Sequence, residues 1–117
     1  MKNKKEIRER FRNEVFERDE YKCVICGETE NLDAHHIMDR RYFTNGGYVR
    51  HNGITLCQRE CHLNAEQYHI SNAQDWIDGM HPDDLYAILG SSFEIAIEAD
   101  EQNIWVQIKK FGKFGSQ

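Results

Sequence analysis

Apolar residues Ile7, Phe11 and Val15 recur every four positions, with Phe16 at the edge of the same face. That spacing predicts an amphipathic helix over 3–18, with charged residues filling the opposite face. Residues 31–37 suit a short strand, and 53–57 (Gly-Ile-Thr-Leu-Cys) suit a returning one. The 14-residue loop between them, 38–51, carries Asn45-Gly46-Gly47 as a turn signal. Residues 60–70 return to helical spacing. Further on, Asn72 is expected to cap a short helix through Asp78. Pro82 opens another helix, with Asp83 and Asp84 in the first turn, where the helix dipole favours them, and Gly90 ends it. Residues 93–98 alternate, as do Ile104, Val106 and Ile108, which predicts a hairpin turning near 100–103. Trp76, Leu85, Tyr86, Trp105 and Val106 read as the core of this last part. The expected fold class is α+β, with a core over 1–70 and an acidic extension over 71–117 packed on or beside it.

A chain of 117 residues fits one domain, or one with a small appendage, and can bury only a modest core. A structural metal would help to hold such a fold. No apolar run approaches the roughly 20 residues that span a bilayer. The basic start is followed by Glu6, Arg8, Glu9 and Arg10 rather than an apolar stretch, unlike a secretory signal. The expectation is a soluble protein of the cytoplasm with no membrane partner. In that reducing setting, four cysteines in two close pairs bind metal more often than they form disulfides.

The net charge of −5 argues at first against a nucleic-acid partner. Its distribution changes that. Residues 1–59 hold 12 Lys/Arg against 10 Asp/Glu, whereas 60–108 hold 10 Asp/Glu and no Lys or Arg. Basic charge and candidate chemistry therefore share one half of the chain.

Cys23 and Cys26 are separated by two residues, and Cys57 and Cys61 by three. Two such pairs brought together form a closed tetrahedral thiolate site, which suits structural zinc. Residues 21–28 make the first tight turn, with Gly27 free to take positive φ. Between the pairs lie Asp33-Ala34-His35-His36-Ile37 and Asn52, and His62 follows Cys61 directly. Phosphodiester hydrolysis needs an activated water, stabilisation of developing charge and an oriented phosphate. Imidazole suits the base because its ordinary pKa of roughly 6.5 lies near working pH. Adjacent strand residues face opposite sides, so one of His35 and His36 can face a metal and the other the substrate. Asn52 can hydrogen-bond across the hairpin and hold the loop. Glu66, four residues after His62, shares its helix face as a further metal ligand, a partner to a ligand, or a solvated glutamate. His69 reads as surface, His81 as part of a turn, and His51 as the end of the loop.

The runs Tyr-Lys-Cys-Val-Ile-Cys-Gly, Ala-His-His-Ile, Asn-Gly-Ile-Thr-Leu-Cys and Cys-His resemble the HNH endonuclease family, in the subgroup whose two cysteine pairs flank the catalytic motif. The resemblance covers residues 18–66 in order and spacing. It implies a zinc-stabilised ββα-metal core, preceded here by a helix and followed by a small helical and hairpin region. It further implies that His35 and His62 ligate a catalytic metal, that His36 is the general base and that Asn52 orients the hairpin. The implied products carry 5′-phosphate and 3′-hydroxyl ends. Two features depart from the pattern. The second cysteine pair has three intervening residues where two are usual, so the turn before His62 must bulge. Residues 38–41, Met-Asp-Arg-Arg, replace a frequent proline.

The expected cofactors are structural Zn²⁺ on Cys23, Cys26, Cys57 and Cys61, and a catalytic Mg²⁺ or Mn²⁺. Two imidazole ligands also suit Ni²⁺ or Zn²⁺ at the second site. The expected partner is DNA, preferably double-stranded, gripped by Arg40, Arg41 and Arg50 with Tyr42, Phe43 and Tyr48 interleaved. Arg8, Arg12 and Lys5 on the first helix would add contacts. Two other readings belong to different classes: a zinc-stabilised nucleic-acid-binding module that does not cut, and an interaction domain whose acidic surface meets a basic protein.

Overall fold

A computed structural model describes residues 3–106. Helix α1, Lys4–Arg18, starts where the Asn3 side chain accepts a hydrogen bond from Glu6 N at 2.9 Å, capping an otherwise orphaned donor. Its buried residues are Ile7, Phe11 and Val15, the stripe marked by the four-residue spacing. Strands β1, Leu32–His36, and β2, Gly53–Cys57, pair antiparallel, with Leu32 opposite Cys57 and His36 opposite Gly53. Helix α2 spans Cys61–Ile70. The architecture is thus α+β, with one two-stranded sheet and several helices.

The sheet is covered on both faces. Ile54 and Leu56, fully buried, join Ala65 of α2 in the main core, while Gly53 and Thr55 face α1. Gly53 is required by close approach rather than by a turn. Its φ of −124° is ordinary extended backbone, but a Cβ there would lie 2.4 Å from Val15 Cγ2 and 2.7 Å from Phe11 Cζ. Asp19 fixes α1 to the sheet, accepting from Thr55 N at 2.9 Å, while Arg18 bridges Asp19 and the Gly53 carbonyl.

The C-terminal part corrects three expectations. The hairpin does not form among the described residues: Phe93–Glu101 is helix α4, and 104–106 are also helical. Ser92 caps α4 through Ile95 N, and Phe93, Ala96, Ile97 and Asp100 follow helical spacing toward buried or partly buried positions. Six residues of apparent alternation coincide with a helical stripe once Ala96 is counted on it. Ile108 lies outside the described residues. Nor does a helix run from Asn72 to Asp78; Asn72 and Ala73 take φ of +54° and +66°, which turn the chain immediately after α2. Finally, Leu85 and Tyr86 of helix α3, Pro82–Ile88, do not build a separate core. They join Ile37, Ile54 and Leu56 in one cluster, whereas Trp76 is largely exposed. Among the described residues no helix is long and apolar enough to cross a membrane.

Tight packing at Gly53 makes a direct prediction. Gly53→Ala should lower stability by about 1–3 kcal/mol through overpacking against Phe11 and Val15, read as a shift in urea midpoint at constant slope. An unchanged midpoint would show that α1 is not pressed against β2 as described.

Candidate metal centres and basic cleft

Because β2 returns antiparallel to β1, Cys57 comes back beside the turn that holds Cys23 and Cys26. Val24 N donates to the Thr55 carbonyl at 3.0 Å and ties that turn to β2. Gly27, at φ +83°, closes the turn with its N–H on the Cys23 carbonyl. Cys61 opens α2, and its N–H points at Cys57 Sγ at 3.4 Å. The four sulfurs lie within 4.8 Å of one another, and Cys26 Sγ is 3.7 Å from Cys57 Sγ. That is far longer than a disulfide at about 2.05 Å. It matches the separation of about 3.8 Å between thiolates bound tetrahedrally at roughly 2.3 Å from one zinc. Backbone donors, above all Cys61 N–H, hold the Cys57 thiol down to about 7, whereas burial pushes the Cys61 thiol up. Such crowded sulfurs cannot all ionise without a cation among them. The group is suited to a structural metal such as zinc, which uses just this ligand set.

The extra residue in the second pair is absorbed by the turn at 58–60, and His62 still reaches the sheet. Its Nε2 lies 3.4 Å from both Asp33 Oδ2 and Glu66 Oε1. Glu66 Oε1 is also 3.3 Å from His35 Nδ1. His35, His62 and Glu66 thus offer three ligand atoms within 4.8 Å of one another. His35 is buried, and its Nε2 has no hydrogen-bond partner among the described residues. Burial lowers its pKa against the opposing pull of Glu66, while the hydrogen bond to His35 holds the Glu66 carboxyl below its ordinary value. A neutral His35 beside an ionised Glu66 is the pair of protonation states a divalent cation needs.

His36 points the other way. Its ring lies 4.5 Å from Phe11 and 5.1 Å from Tyr48, centroid to centroid, on the α1 side of the sheet. The nearby Gly46 backbone favours the protonated ring, and Nε2 has no partner among the described residues. Burial, then the neighbouring His35 and Arg40, lowers its pKa to about 4, so the imidazole is neutral at neutral pH. His36 lines a cleft of about 410 Å³ together with Arg8 and Arg12 of α1, Asp39, Arg40 and Tyr48. Burial would raise the Tyr48 phenol, but hydrogen bonds from Arg40 and Arg8 outweigh it and lower the pKa. A second depression of about 280 Å³, around His35, His62, Glu66 and His69, shares Asp33, Ala34, His36 and Asp39 with the first. The two histidines of β1 therefore open into adjoining halves of one groove.

Asn52 is fully buried at the end of a 3₁₀ turn, Arg50–Asn52, just before β2. Its amide donates to the carbonyls of Met38 (3.1 Å) and Gly47 (3.3 Å) and accepts from Met38 N at 3.1 Å. Tyr86 Oη donates to Asn52 Oδ1 at 2.6 Å. One side chain thereby fixes both ends of the loop that carries Arg40 and Gly46.

The remaining candidates divide. Arg40 lines the cleft and donates to Tyr48 Oη at 3.0 Å, and Arg41 is exposed beside it over Tyr42. Arg50 lines a different depression with His51 and Glu14. Phe43 is buried and packs on Phe93, which removes it from any contact with sugar or base. His69 is not a surface residue: its Nε2 lies 3.0 Å from the Ile37 carbonyl and its ring 5.7 Å from His35. Asp33, two residues along the strand from His35, shares that face and meets His62. No protein-family model, no curated protein and no solved structure matches the chain significantly.

The sulfur cluster predicts that purified protein carries one zinc per chain, resistant to dialysis. A strong chelator should remove it with loss of the near-ultraviolet dichroism of the packed core. Metal-free protein with an intact core would refute a structural role for the cluster.

Proposed function

We propose that the chain is a metal-dependent endonuclease of the HNH kind that hydrolyses DNA phosphodiester bonds. The observation that carries this reading is the division of labour across β1. His35 gathers with His62 and Glu66 on one side, and His36 sits among Arg8, Arg12 and Arg40 on the other, in contiguous depressions.

The donor set of two imidazoles and one carboxylate fits a divalent cation, with Mn²⁺ favoured over Mg²⁺ by the nitrogen ligands. A cation held there would polarise a phosphoryl oxygen and stabilise charge on the leaving 3′ oxygen. His36 supplies the base. Its Nε2 has no partner among the described residues, and the neutral ring can take a proton from water there. As that proton leaves, the water oxygen attacks phosphorus, the P–O3′ bond breaks and the 3′ oxygen takes a proton from solvent, giving 5′-phosphate and 3′-hydroxyl ends. Arg8, Arg12 and Arg40 supply charge-assisted hydrogen bonds to phosphate oxygens beside the scissile group. Asn52 acts by holding the loop, since its amide is engaged with backbone groups and Tyr86.

Supercoiled plasmid incubated with zinc-loaded protein and Mn²⁺ is expected to become nicked. His36→Ala should slow nicking by about 10²–10⁴-fold while leaving DNA binding in place. Equal cutting by the variant would remove His36 as the base. DNA binding without cutting under Mn²⁺, Mg²⁺, Ni²⁺ and Zn²⁺ would instead favour a binding module. For the basic cleft, Arg8→Ala and Arg40→Ala should each reduce the slope of log affinity against log salt by about 1 for a short duplex. Slopes equal to that of the unmodified chain would place the phosphate backbone elsewhere.

A further inference from the structure

The last acidic stretch contains one carboxylate that does not face water. Asp100, near the end of α4, is 1% exposed. Its partners are backbone amides of the distant loop. Oδ2 accepts from Asn45 N at 2.9 Å and Oδ1 from Gly47 N at 2.8 Å, while the Asp100 carbonyl accepts from Asn45 Nδ2 at 2.9 Å. The carboxylate therefore brackets Gly46, which lies against the Tyr48 ring, and Tyr48 packs on the His36 ring at 5.1 Å between centroids.

That bracket matters because it fixes the turn at the tip of the loop, whose ends Asn52 holds. Gly46 and Gly47 take φ of +87° and +71°, a left-handed pair that glycine enters and leaves freely. The loop's own closing bond, Gly46 N to the Phe43 carbonyl, is long at 3.4 Å. Without Asp100, two buried amides would lack acceptors, and the turn would be held only by Asn52 on the Gly47 carbonyl and by the long Gly46 N bond. The same extension grips the loop again, with Asn103 Nδ2 donating to the Tyr48 carbonyl at 3.2 Å and Ser91 Oγ to the His51 carbonyl at 3.0 Å.

We infer that Asp100 is a positioning residue of the site: by holding Asn45 and Gly47 it sets the turn at Gly46 against Tyr48, and through Tyr48 the orientation of the His36 ring. The acidic extension is then a working part of the groove. The kinetic consequence rests on the nuclease reading; the effect on the His36 ring does not.

The test uses zinc-loaded protein and Asp100→Asn, which keeps the volume but presents a donor to one of the two amides. Cleavage of plasmid with Mn²⁺ should fall about 100-fold in kcat, as expected for a displaced reacting group, with KM and zinc content unchanged. In the same variant the ¹H and ¹⁵N signals of the His36 ring, assigned with His36→Gln, should shift as the Tyr48 ring moves relative to it. Unchanged kcat and an unchanged ring signal would overturn the inference. Loss of zinc and DNA binding together with kcat would also overturn it, by showing a general structural role. Should the unmodified chain cut no DNA, the nuclease reading fails, and the ring signal alone decides whether Asp100 positions His36.

Discussion

The pairing of β1 with β2 is the constraint on which the site depends. Its register brings Cys57 back beside the turn of Cys23 and Cys26, and the same register sets His36 opposite Gly53. Gly53, having no side chain, lets Phe11 and Val15 of α1 close onto the sheet, and Phe11 supports the His36 ring. Period-two alternation then sends His35 to the opposite face, where α2 offers His62 and Glu66. A slip by one residue would exchange the two histidines between faces and pull the sulfurs apart. One register thus specifies a candidate structural metal site, a candidate metal pocket and a basic cleft.

Much of this was legible because it is local. Two short-spaced cysteine pairs, adjacent histidines on a strand, and the four-residue period of Ile7, Phe11 and Val15 each carry meaning within a few residues. Asp33 and His69 were within reach of the same logic. Asp33 lies two positions before His35 on β1, and His69 lies seven after His62, two turns along the same face of α2.

What sequence alone could not give is the part that depends on distant partners. Phe93 to Glu98 alternates convincingly over six residues, and only the Ser92 cap separated helix from strand. Asp100 looked like one acid among ten in a solvated stretch, because its partners, Asn45 and Gly47, lie more than 50 positions away. Tyr86 looked like the core of an appendage, yet its hydroxyl meets Asn52 across 34 positions. A buried carboxylate and a buried phenol each need a partner, but composition does not say where that partner is. The acidic extension is consequently where the sequence reading went furthest astray.

The central proposal is that two ions occupy two different donor sets, one on the four cysteines and one on His35, His62 and Glu66. Anomalous diffraction from crystals soaked in Mn²⁺, recorded at the zinc and manganese edges, tests it most directly. The account predicts a zinc peak among Cys23, Cys26, Cys57 and Cys61, and a manganese peak within bonding distance of His35, His62 and Glu66. Manganese bound elsewhere, or those three side chains turned apart with no peak between them, would contradict it.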